Sequence, residues 1–297
     1  MKSGIVVLKK EEGITSQGAV NRVKRLFGAD KAGHTGTLDP LATGVLPILI
    51  GRAVKASEYM LTSDKYYRAT LTLGITTDTE DITGNILSKS EVSVSEEEVI
   101  KVVNSFLGES MQTPPMYSAL KVGGKKLCDM ARAGIEIERE ARKITIHNIS
   151  VKKIDNENYF LDVHCSKGTY IRTLCADIGK ALGTGGVMKT LERTKASIFS
   201  LEDAHTLSQI EALTEEERLS LIIPTERVFE SFEKVVLEPF FARLAKCGVE
   251  IYLKKISKQI QEGTLVTLYD ENGFFALGEV RAFEAGLAIK PIKQFNV

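Results

Sequence analysis

Apolar and polar residues alternate along several segments of the chain, and this alternation predicts β-strands. Residues 66–73, YYRATLTL, place Tyr67 and the apolar odd-numbered residues on one face, as a half-buried strand does. Residues 159–165 alternate in the same way, while the apolar run GIVVL at 4–8 is typical of a short buried strand. VLPILI at 45–50 predicts a further strand, and its proline suggests an edge or a bulge.

Three other segments repeat apolar residues every three or four positions, which predicts helices. One covers residues 16–27, with Thr15 or Ser16 as its N-cap. A second covers residues 95–107 and opens with serine and glutamate in capping-box spacing. The third covers residues 171–182. Because strands and helices follow one another without a regular strand–helix rhythm, the pattern favours an α+β fold with a mixed or antiparallel sheet.

The pattern changes towards the end of the chain. After an acidic segment at 211–230, short strands alternate with hairpin signals, of which Asn272 followed by Gly273 is the strongest. We therefore predict two domains, a larger one over residues 1–234 and a small β-rich one over residues 235–297.

The charge of the chain is unevenly distributed, which bears on its partners. The net charge of the 297 residues is zero at pH 7. Lys and Arg outnumber Asp and Glu by 11 to 6 in residues 1–70 and by 9 to 4 in residues 121–153. Residues 71–120 and 205–240 have the opposite excess. The two basic blocks could meet on one surface and attract nucleic acid, or they could be the solvated faces of ordinary helices.

Apolar runs and cysteines narrow the class of protein. No run of 18 apolar residues occurs, and the apolar part of the N-terminal segment is too short for a signal peptide. The four cysteines show no CxxC spacing. We therefore expect a cytoplasmic protein with reduced thiols and neither a disulfide nor a structural zinc ion.

The loop GHTGTLDPLA at residues 33–42 is the first candidate for a functional site. It holds Asp39 among Gly33, Gly36 and the following Gly44, which let the backbone approach a ligand closely. An aspartate before proline also initiates turns, so a purely structural role stays open. His34 and Asp39 are two potential metal ligands without a third at suitable spacing, so no metal site is expected.

Tyr67 and Arg172 are the next candidates. Tyr67 could pack in the core, or its ring could form a wall on which a base stacks. Arg172 falls in the first turn of the predicted helix, where a cation is unfavourable unless a carboxylate or phosphate offsets the helix dipole; an arginine directed to solvent is the alternative. GTGG at 183–186 lacks the Lys-Ser/Thr of a phosphate-binding loop, so we interpret it as a plain loop.

Five blocks of sequence, in order, resemble the TruB family of tRNA pseudouridine synthases, which modify uridine 55 in the T-loop. They are GHTGTLDPLATGVLPILIGRAVK, DKYYRATLTLGITTDTEDITG, TPPMYSALKVGGKKL, ARAGIEIERE and CSKGTYIRTLCADIG. The β-rich C-terminal segment is similar to the family's PUA RNA-binding domain. The resemblance implies an isomerase that flips the uridine out of the loop, with tRNA as partner. It also implies no cofactor, no metal, no membrane, no obligatory protein partner and a monomer.

The resemblance also implies roles for individual residues. Asp39 is the implied nucleophile, and Tyr67 is the implied ring that stacks on the base and acts as general base. Arg172 is the implied partner of the Asp39 carboxylate. His34 is implied to contact the RNA beside the flipped nucleotide, and Leu191 to pack in the uracil pocket.

Three further residues are assigned to substrate binding: Gly36 and Tyr170, which lie in the matching blocks, and Lys10, which opens the segment KEEGITS at residues 10–16, similar to the family's KPxGxTS. The family has a proline directly after the lysine, whereas this chain has Glu11, which leaves the role of Lys10 open. Two other functions stay open at this point, a non-catalytic RNA-binding protein and a metal- or nucleotide-dependent hydrolase. Whether the nucleophile attacks C6 or C1′ of the nucleotide is also open.

Overall fold

A computed structural model describes residues 2–295 and contains a nine-stranded sheet, a five-stranded sheet and two two-stranded ribbons. The strands are β1 (Gly4–Lys10), β2 (Ala32–His34), β3 (Thr43–Ile50), β4 (Lys65–Leu73), β5 (Ile75–Thr77), β6 (Ile86–Lys89), β7 (Gly108–Gln112), β8 (Lys121–Val122), β9 (Lys125–Lys126), β10 (Arg142–Lys153), β11 (Asn158–Cys165), β12 (Gly186–Ala196), β13 (Phe199–Ser200), β14 (Glu233–Val236), β15 (Ile251–Tyr252), β16 (Leu265–Asp270), β17 (Gly273–Phe283) and β18 (Gly286–Gln294). The α-helices are α1 (Ser16–Leu26), α2 (Ser57–Leu61), α3 (Glu96–Ser105), α4 (Leu127–Arg132), α5 (Ile171–Ala181), α6 (Leu207–Ala212), α7 (Glu215–Ser220) and α8 (Pro239–Lys246). Short 3-10 helices cover Gly51–Ala56, Leu201–Asp203, Thr225–Phe229 and Leu253–Lys255.

The large sheet has the order β1-β3-β12-β4-β11-β10-β7, with β2 added to β3 and β13 to β12. Its pairings are antiparallel except that of β12 with β3, which is parallel. Helices α1, α3 and α5 contribute Val23, Val103 and Cys175 to the same buried cluster as Ile48 and Leu71 of the sheet. This mixed sheet with helices packed against it confirms the α+β prediction.

The periodic segments form the elements that their patterns predict. Thr15 is the N-cap of α1, and its side chain accepts a hydrogen bond from the Gly18 N–H. Ser16 is instead the first residue of the helix and is buried. A capping box formed by Ser95 and Glu98 opens α3. These local signals therefore placed both helix starts to within one residue.

The prediction that the proline of β3 marks an edge or a bulge was wrong. Strand β3 lies inside the large sheet, with β1 on one side and β2 and β12 on the other. The partner Val7 directs its carbonyl away from β3, towards the His205 N–H, so Val7 and Pro47 form a non-hydrogen-bonded pair. On the other side Pro47 falls between the residues paired with β12 and those paired with β2. Its missing N–H therefore removes no ladder bond.

The five-stranded sheet has the order β14-β16-β17-β18-β15 and lies entirely within residues 233–294. The predicted hairpin is present, with Asp270 opposite Gly273. Phe274 and Phe295 from this part of the chain share a buried cluster with Ile5 of β1, so the small sheet packs against the large one. Helix α8 was not predicted, since eight residues are too few to show a helical period. Within the described residues no helix is long and apolar enough to cross a membrane.

Candidate active site

Asp39 lies in the loop between β2 and β3, and the backbone of this loop is anchored to α1. The Ser16 hydroxyl accepts a hydrogen bond from the Leu38 N–H at 2.8 Å and donates one to the Leu38 carbonyl, also at 2.8 Å. Leu38 itself is buried. The residue before Asp39 is therefore fixed on both of its main-chain groups, which aims the carboxylate without using its own oxygens.

Lys10 holds the other side of this loop. Its Nζ donates to the carbonyls of Pro40 at 3.2 Å, Ala42 at 2.5 Å and Glu11 at 2.9 Å. The residue is only 1% exposed, and burial lowers the pKa of its ammonium to about 8 although Asp39 acts in the opposite direction. These contacts give Lys10 a role in shaping the Asp39 loop. Since Glu11 is contacted only through its main chain, its replacement of proline leaves this interaction intact.

Arg172 pairs with Asp39. Its Nε lies 2.9 Å from Asp39 Oδ2, Nη1 donates to the Thr79 carbonyl at 3.0 Å, and Nη2 donates to the Tyr117 carbonyl at 2.7 Å. The arginine side chain is 5% exposed, whereas that of Asp39 is 36% exposed. The structure thus supplies the anion that a cation in the first turn of α5 requires. The guanidinium is buried and oriented, and the carboxylate keeps an open side.

A second carboxylate, that of Asp81, also faces Arg172. Its Oδ2 lies 3.7 Å from Arg172 Nη1. Its Oδ1 accepts hydrogen bonds from the Thr79 hydroxyl at 2.9 Å, the Thr83 hydroxyl at 2.6 Å and the Thr83 N–H at 3.0 Å. Asp81 is 6% exposed. One buried guanidinium therefore lies between two carboxylates, of which only Asp39 is accessible.

The pKa of the Asp39 carboxyl is raised above its usual value. Burial is the largest cause, and the neighbouring Asp81 acts in the same direction, while Arg172 and Lys10 oppose it. Without its cationic neighbours, the partly enclosed carboxyl would bind a proton still more readily. The pairing with Arg172 therefore favours the ionised form that a nucleophile needs.

A cavity of about 320 Å³ opens in front of Asp39, at the lower end of the range usual for ligand sites. It therefore suits a ligand as small as one nucleoside. Its lining brings together residues from the Asp39 loop, the start of β4, the start of α5 and β12. Among the lining residues are Gly36, Asp39, Tyr67, Tyr170, Arg172 and Leu191. Six of the eight residues assigned from the sequence thus line one cavity.

Tyr67 lies on the face of β4 that also carries Ala69 and Leu71, as the alternation predicts. Burial raises the pKa of its phenol, and the adjacent Arg193 guanidinium opposes this shift. A raised pKa keeps the hydroxyl protonated at neutral pH, which disfavours the predicted role of general base. It leaves the predicted role as a stacking surface unaffected.

His34 lies outside this cavity and lines a neighbouring one that shares Asp39 and Arg172. Its Nδ1 accepts a hydrogen bond from the Gly36 N–H at 3.2 Å. Burial lowers the pKa of the imidazole, and the charge of Arg193 acts in the same direction as the second cause. His34 is therefore neutral at pH 7 with its proton on Nε2, so it can donate one hydrogen bond to a ligand in the neighbouring cavity.

Two glycines near Asp39, Gly36 and Gly44, lie close to Arg193 of β12. A Cβ on Gly36, where φ is +140°, would lie 3.3 Å from Arg193 Nη1, and one on Gly44, where φ is +100°, would lie 2.3 Å from the Arg193 carbonyl oxygen. The expectation that Gly44 admits a ligand was wrong, because the close neighbour is β12. Gly36 still lines the cavity.

Tyr170 is the N-cap of α5 and is held by Gln112. Its N–H donates to Gln112 Oε1 at 2.8 Å, and the Gln112 side-chain NH₂ donates back to its carbonyl at 3.1 Å. These two hydrogen bonds fix the start of the helix that carries Arg172. Residues 183–185 of the GTGG segment after the same helix form a loop, as predicted, and Gly186 begins β12. A Cβ on Gly179 of α5 would lie 2.2 Å from the Gly186 nitrogen, so these glycines allow close packing.

Two residues of the site were not identified from the sequence. Asp81 lies within a block that was quoted only for its resemblance to the family. Arg193 is 1% exposed; its Nε donates to the Val45 carbonyl at 2.8 Å and its Nη2 to the Gly36 carbonyl at 3.2 Å. The sequence offers no signal that singles out Arg193, because it is one of four charged residues in β12; its burial depends on partners that only the fold supplies.

Comparison with known proteins supports the family resemblance that the sequence motifs indicate. A family model described as "TruB family pseudouridylate synthase (N terminal domain)" matches residues 24–171, and one described as "tRNA pseudouridylate synthase B C-terminal domain" matches residues 172–230. A Clostridium tetani protein named tRNA pseudouridine synthase B is 44% identical over 278 residues, which cover 93% of this chain and 95% of that protein. This chain belongs to the TruB family.

Other relatives of this TruB-family chain agree with the assignment. A protein of the same name from Alkaliphilus oremlandii is 46% identical over 281 residues, or 94% of this chain and 93% of that protein. A chain in the crystal structure of a Cbf5-Nop10-Gar1 complex has a TM-score of 0.72 and 27% identity, covering 99% of this chain and 85% of that chain. The match to the family's C-terminal model starts at the second residue of α5, includes strand β12 of the large sheet and ends before β14.

Proposed function

We propose that this chain isomerises uridine 55 in the T-loop of tRNA to pseudouridine. The observation that carries the proposal is the ion pair of Arg172 with a partly accessible Asp39 at a cavity lined by Tyr67 and Leu191. The relatives named tRNA pseudouridine synthase B support the choice of substrate. A carboxylate held ionised beside an apolar wall suits a nucleophile that acts on a flat base.

The reaction breaks the N1–C1′ glycosidic bond, turns the uracil and joins its C5 to C1′. A base inside a folded T-loop has to be flipped out before the enzyme can reach it. Asp39 would add to the base or the sugar and leave again when the new bond forms. The C5 proton is lost and N1 gains a proton, so the reaction neither oxidises the nucleotide nor adds atoms to it.

Each part of the site has a distinct place in this reaction. Arg172 keeps Asp39 ionised and oriented, since its other nitrogens are held by main-chain carbonyls. The neutral phenol of Tyr67 offers a ring for stacking, and Leu191 closes the pocket. His34 lies one cavity further on, where it would contact the RNA next to the flipped nucleotide.

We further propose that residues 1–234 carry out the chemistry and that residues 235–297 form a PUA-like RNA-binding domain. The protein would act as a monomer without an obligatory protein partner.

Basic side chains support an RNA-binding face near the site, because Lys126 and Arg132 line the cavity next to Asp39. These belong to the basic block that the sequence predicts to meet RNA.

The test is pseudouridine mapping at single-nucleotide resolution on unmodified tRNA incubated with the pure protein. We expect modification at position 55, in a T-stem-loop hairpin as well as in whole tRNA, with and without chelator. Asp39→Asn protein is the matched control. Tight binding of the hairpin without conversion would instead identify an RNA-binding protein, and a requirement for nucleotide would indicate the hydrolase.

A further inference from the structure

Two histidines and an aspartate converge on the surface of the large sheet, away from the candidate active site. They are Asp64, His147 and His164, and their ligand atoms all lie within 4.8 Å of one another. Asp64 Oδ2 lies 3.3 Å from His147 Nε2 and 3.4 Å from His164 Nε2. They come from three segments: the turn before β4, strand β10 and strand β11.

The distances suit a shared metal ion better than hydrogen bonds. N–H···O bonds are usually about 2.7–3.2 Å long, and both contacts exceed this. Two ligands bound tetrahedrally to zinc at about 2.0–2.1 Å are about 3.3 Å apart. The distance from the Asp64 oxygen to each imidazole nitrogen therefore matches the distance between two ligands of the same ion.

Neighbouring structure orients both imidazoles. Strand β10 has a bulge between Ile146 and Asn148, and His147 is the extra residue that the bulge displaces from the ladder. The ring of His164 stacks on that of its cross-strand neighbour Tyr66, with centroids 4.0 Å apart and planes 7° from parallel. Bulges often re-aim a side chain at a functional site. The ligands are thus held in place before any ion arrives.

We propose that Asp64, His147 and His164 bind a divalent ion of the zinc class. Two imidazoles and one carboxylate are a donor set that suits Zn²⁺, Co²⁺ or Ni²⁺ better than Mg²⁺ or Ca²⁺. The three side chains are 45%, 37% and 24% exposed, which leaves room for water to complete the coordination.

This site is separate from the proposed chemistry. Tyr66 and Tyr67 are successive residues of β4 and therefore point to opposite faces of the sheet, and Tyr67 lines the cavity in front of Asp39. The ion would link the start of β4 to β10 and β11 and would therefore have a structural role. The sequence did not indicate this cluster, because His147 and His164 are 83 and 100 positions beyond Asp64 (147 − 64 and 164 − 64), a spacing that no short motif reveals.

Calorimetric titration of tag-free, chelator-treated protein with ZnCl₂ tests the proposal. We expect one ion per chain, and we expect His147→Ala, His164→Gln and Asp64→Asn each to weaken binding by more than about tenfold, since outer-sphere changes alone cost about 10–100-fold. The matched control is His205→Ala, which removes the remaining histidine outside both sites and should leave the affinity unchanged.

Two further measurements make the outcome unambiguous. Zn²⁺ should raise the melting temperature of the wild type and of His205→Ala, but not that of the three cluster variants. The exposed thiol of Cys247 is a competing ligand on the surface. A thiolate charge-transfer band of bound Co²⁺ would report binding by a cysteine, and we expect no such band. Equal zinc affinity in wild type and cluster variants, or loss of binding in Cys247→Ser, would overturn the proposal. Circular dichroism and uridine conversion without metal report whether each variant is folded.

Discussion

Nε of Arg172 lies 2.9 Å from Oδ2 of Asp39, while both terminal nitrogens of the same guanidinium donate to main-chain carbonyls. The arginine is therefore held in place by the fold and not by the carboxylate that it pairs with. Asp39 can move its charge towards a ligand without releasing Arg172 from its position. This division of contacts leads to distinct expectations for the two residues.

Asp39→Asn should abolish turnover and leave the affinity for RNA nearly unchanged. The amide keeps the shape of the side chain but cannot act as a nucleophile, so we expect the single-turnover rate to fall by more than about 100-fold. Rapid-quench measurement of product, together with filter binding of the T-stem-loop, checks both parts. Product formation above one hundredth of the normal rate would count against the role of Asp39.

Arg172→Lys should retain weak activity and Arg172→Ala almost none. Lysine keeps the charge, but a single ammonium cannot serve Asp39, Thr79 and Tyr117 from one plane. Alanine also leaves two carboxylates facing each other, which should lower the melting temperature. The loss should be smaller than the about 3–5 kcal/mol typical of a fully buried pair, since Asp39 is 36% exposed. An unchanged single-turnover rate at saturating RNA in Arg172→Ala would remove it from the catalytic residues.

The pH dependence of the chemical step should reflect the raised pKa of Asp39. The ionised form is required, so the rate should fall as the pH drops through a value above the usual 3.8 of an aspartate. Because Asp81 raises this pKa, Asp81→Asn should move the acid limb of the profile to lower pH. Asp78→Asn, in the same loop but bonded to Asn85, is the control. An upward shift in Asp81→Asn would contradict the electrostatic role of this residue.

Lys10→Met should lower both stability and the rate of the chemical step. It leaves the buried carbonyl of Ala42 without its donor, at a cost of about 1–3 kcal/mol, while the Pro40 carbonyl keeps its hydrogen bond from the Gly13 N–H. The Asp39 loop should then lose its fixed position. Urea unfolding and single-turnover rates measure the two effects, with the exposed neighbour Lys9→Met as control. A Lys10→Met protein as stable and as fast as wild type would show that the loop is positioned without Lys10.

Binding of tRNA should weaken steeply with salt, since Lys and Arg displace counterions from phosphates. Lys126→Ala and Arg132→Ala, at the cavity next to Asp39, should each reduce the slope of log affinity against log salt by about one. Lys152→Ala, on a distant part of β10, should not change it. A T-stem-loop hairpin should be preferred over a plain duplex at every salt concentration; equal affinity for the duplex would contradict loop recognition.

Much of the fold could be predicted from the sequence, because it rests on local patterns. The alternation in β4 placed Tyr67 on the buried face, and cap signals placed the starts of α1 and α3. The position of Arg172 in the first turn of α5 indicated either an anion beside it or a side chain directed to solvent, and the family resemblance favoured the Asp39 carboxylate. Each of the local inferences depends only on residues within about one turn or one strand of each other.

The tertiary structure alone decided the neighbours that these residues meet. Pro47 lies inside the sheet without a lost ladder bond because β2 and β12 stop on either side of it, and β12 begins 139 positions further along the chain (186 − 47). Lys10, Asp81 and Arg193 act on Asp39 or its loop across 29, 42 and 154 positions (39 − 10, 81 − 39 and 193 − 39). A charged residue is tolerated in a buried position only where the fold brings it a partner, and the sequence records the charge but not the partner.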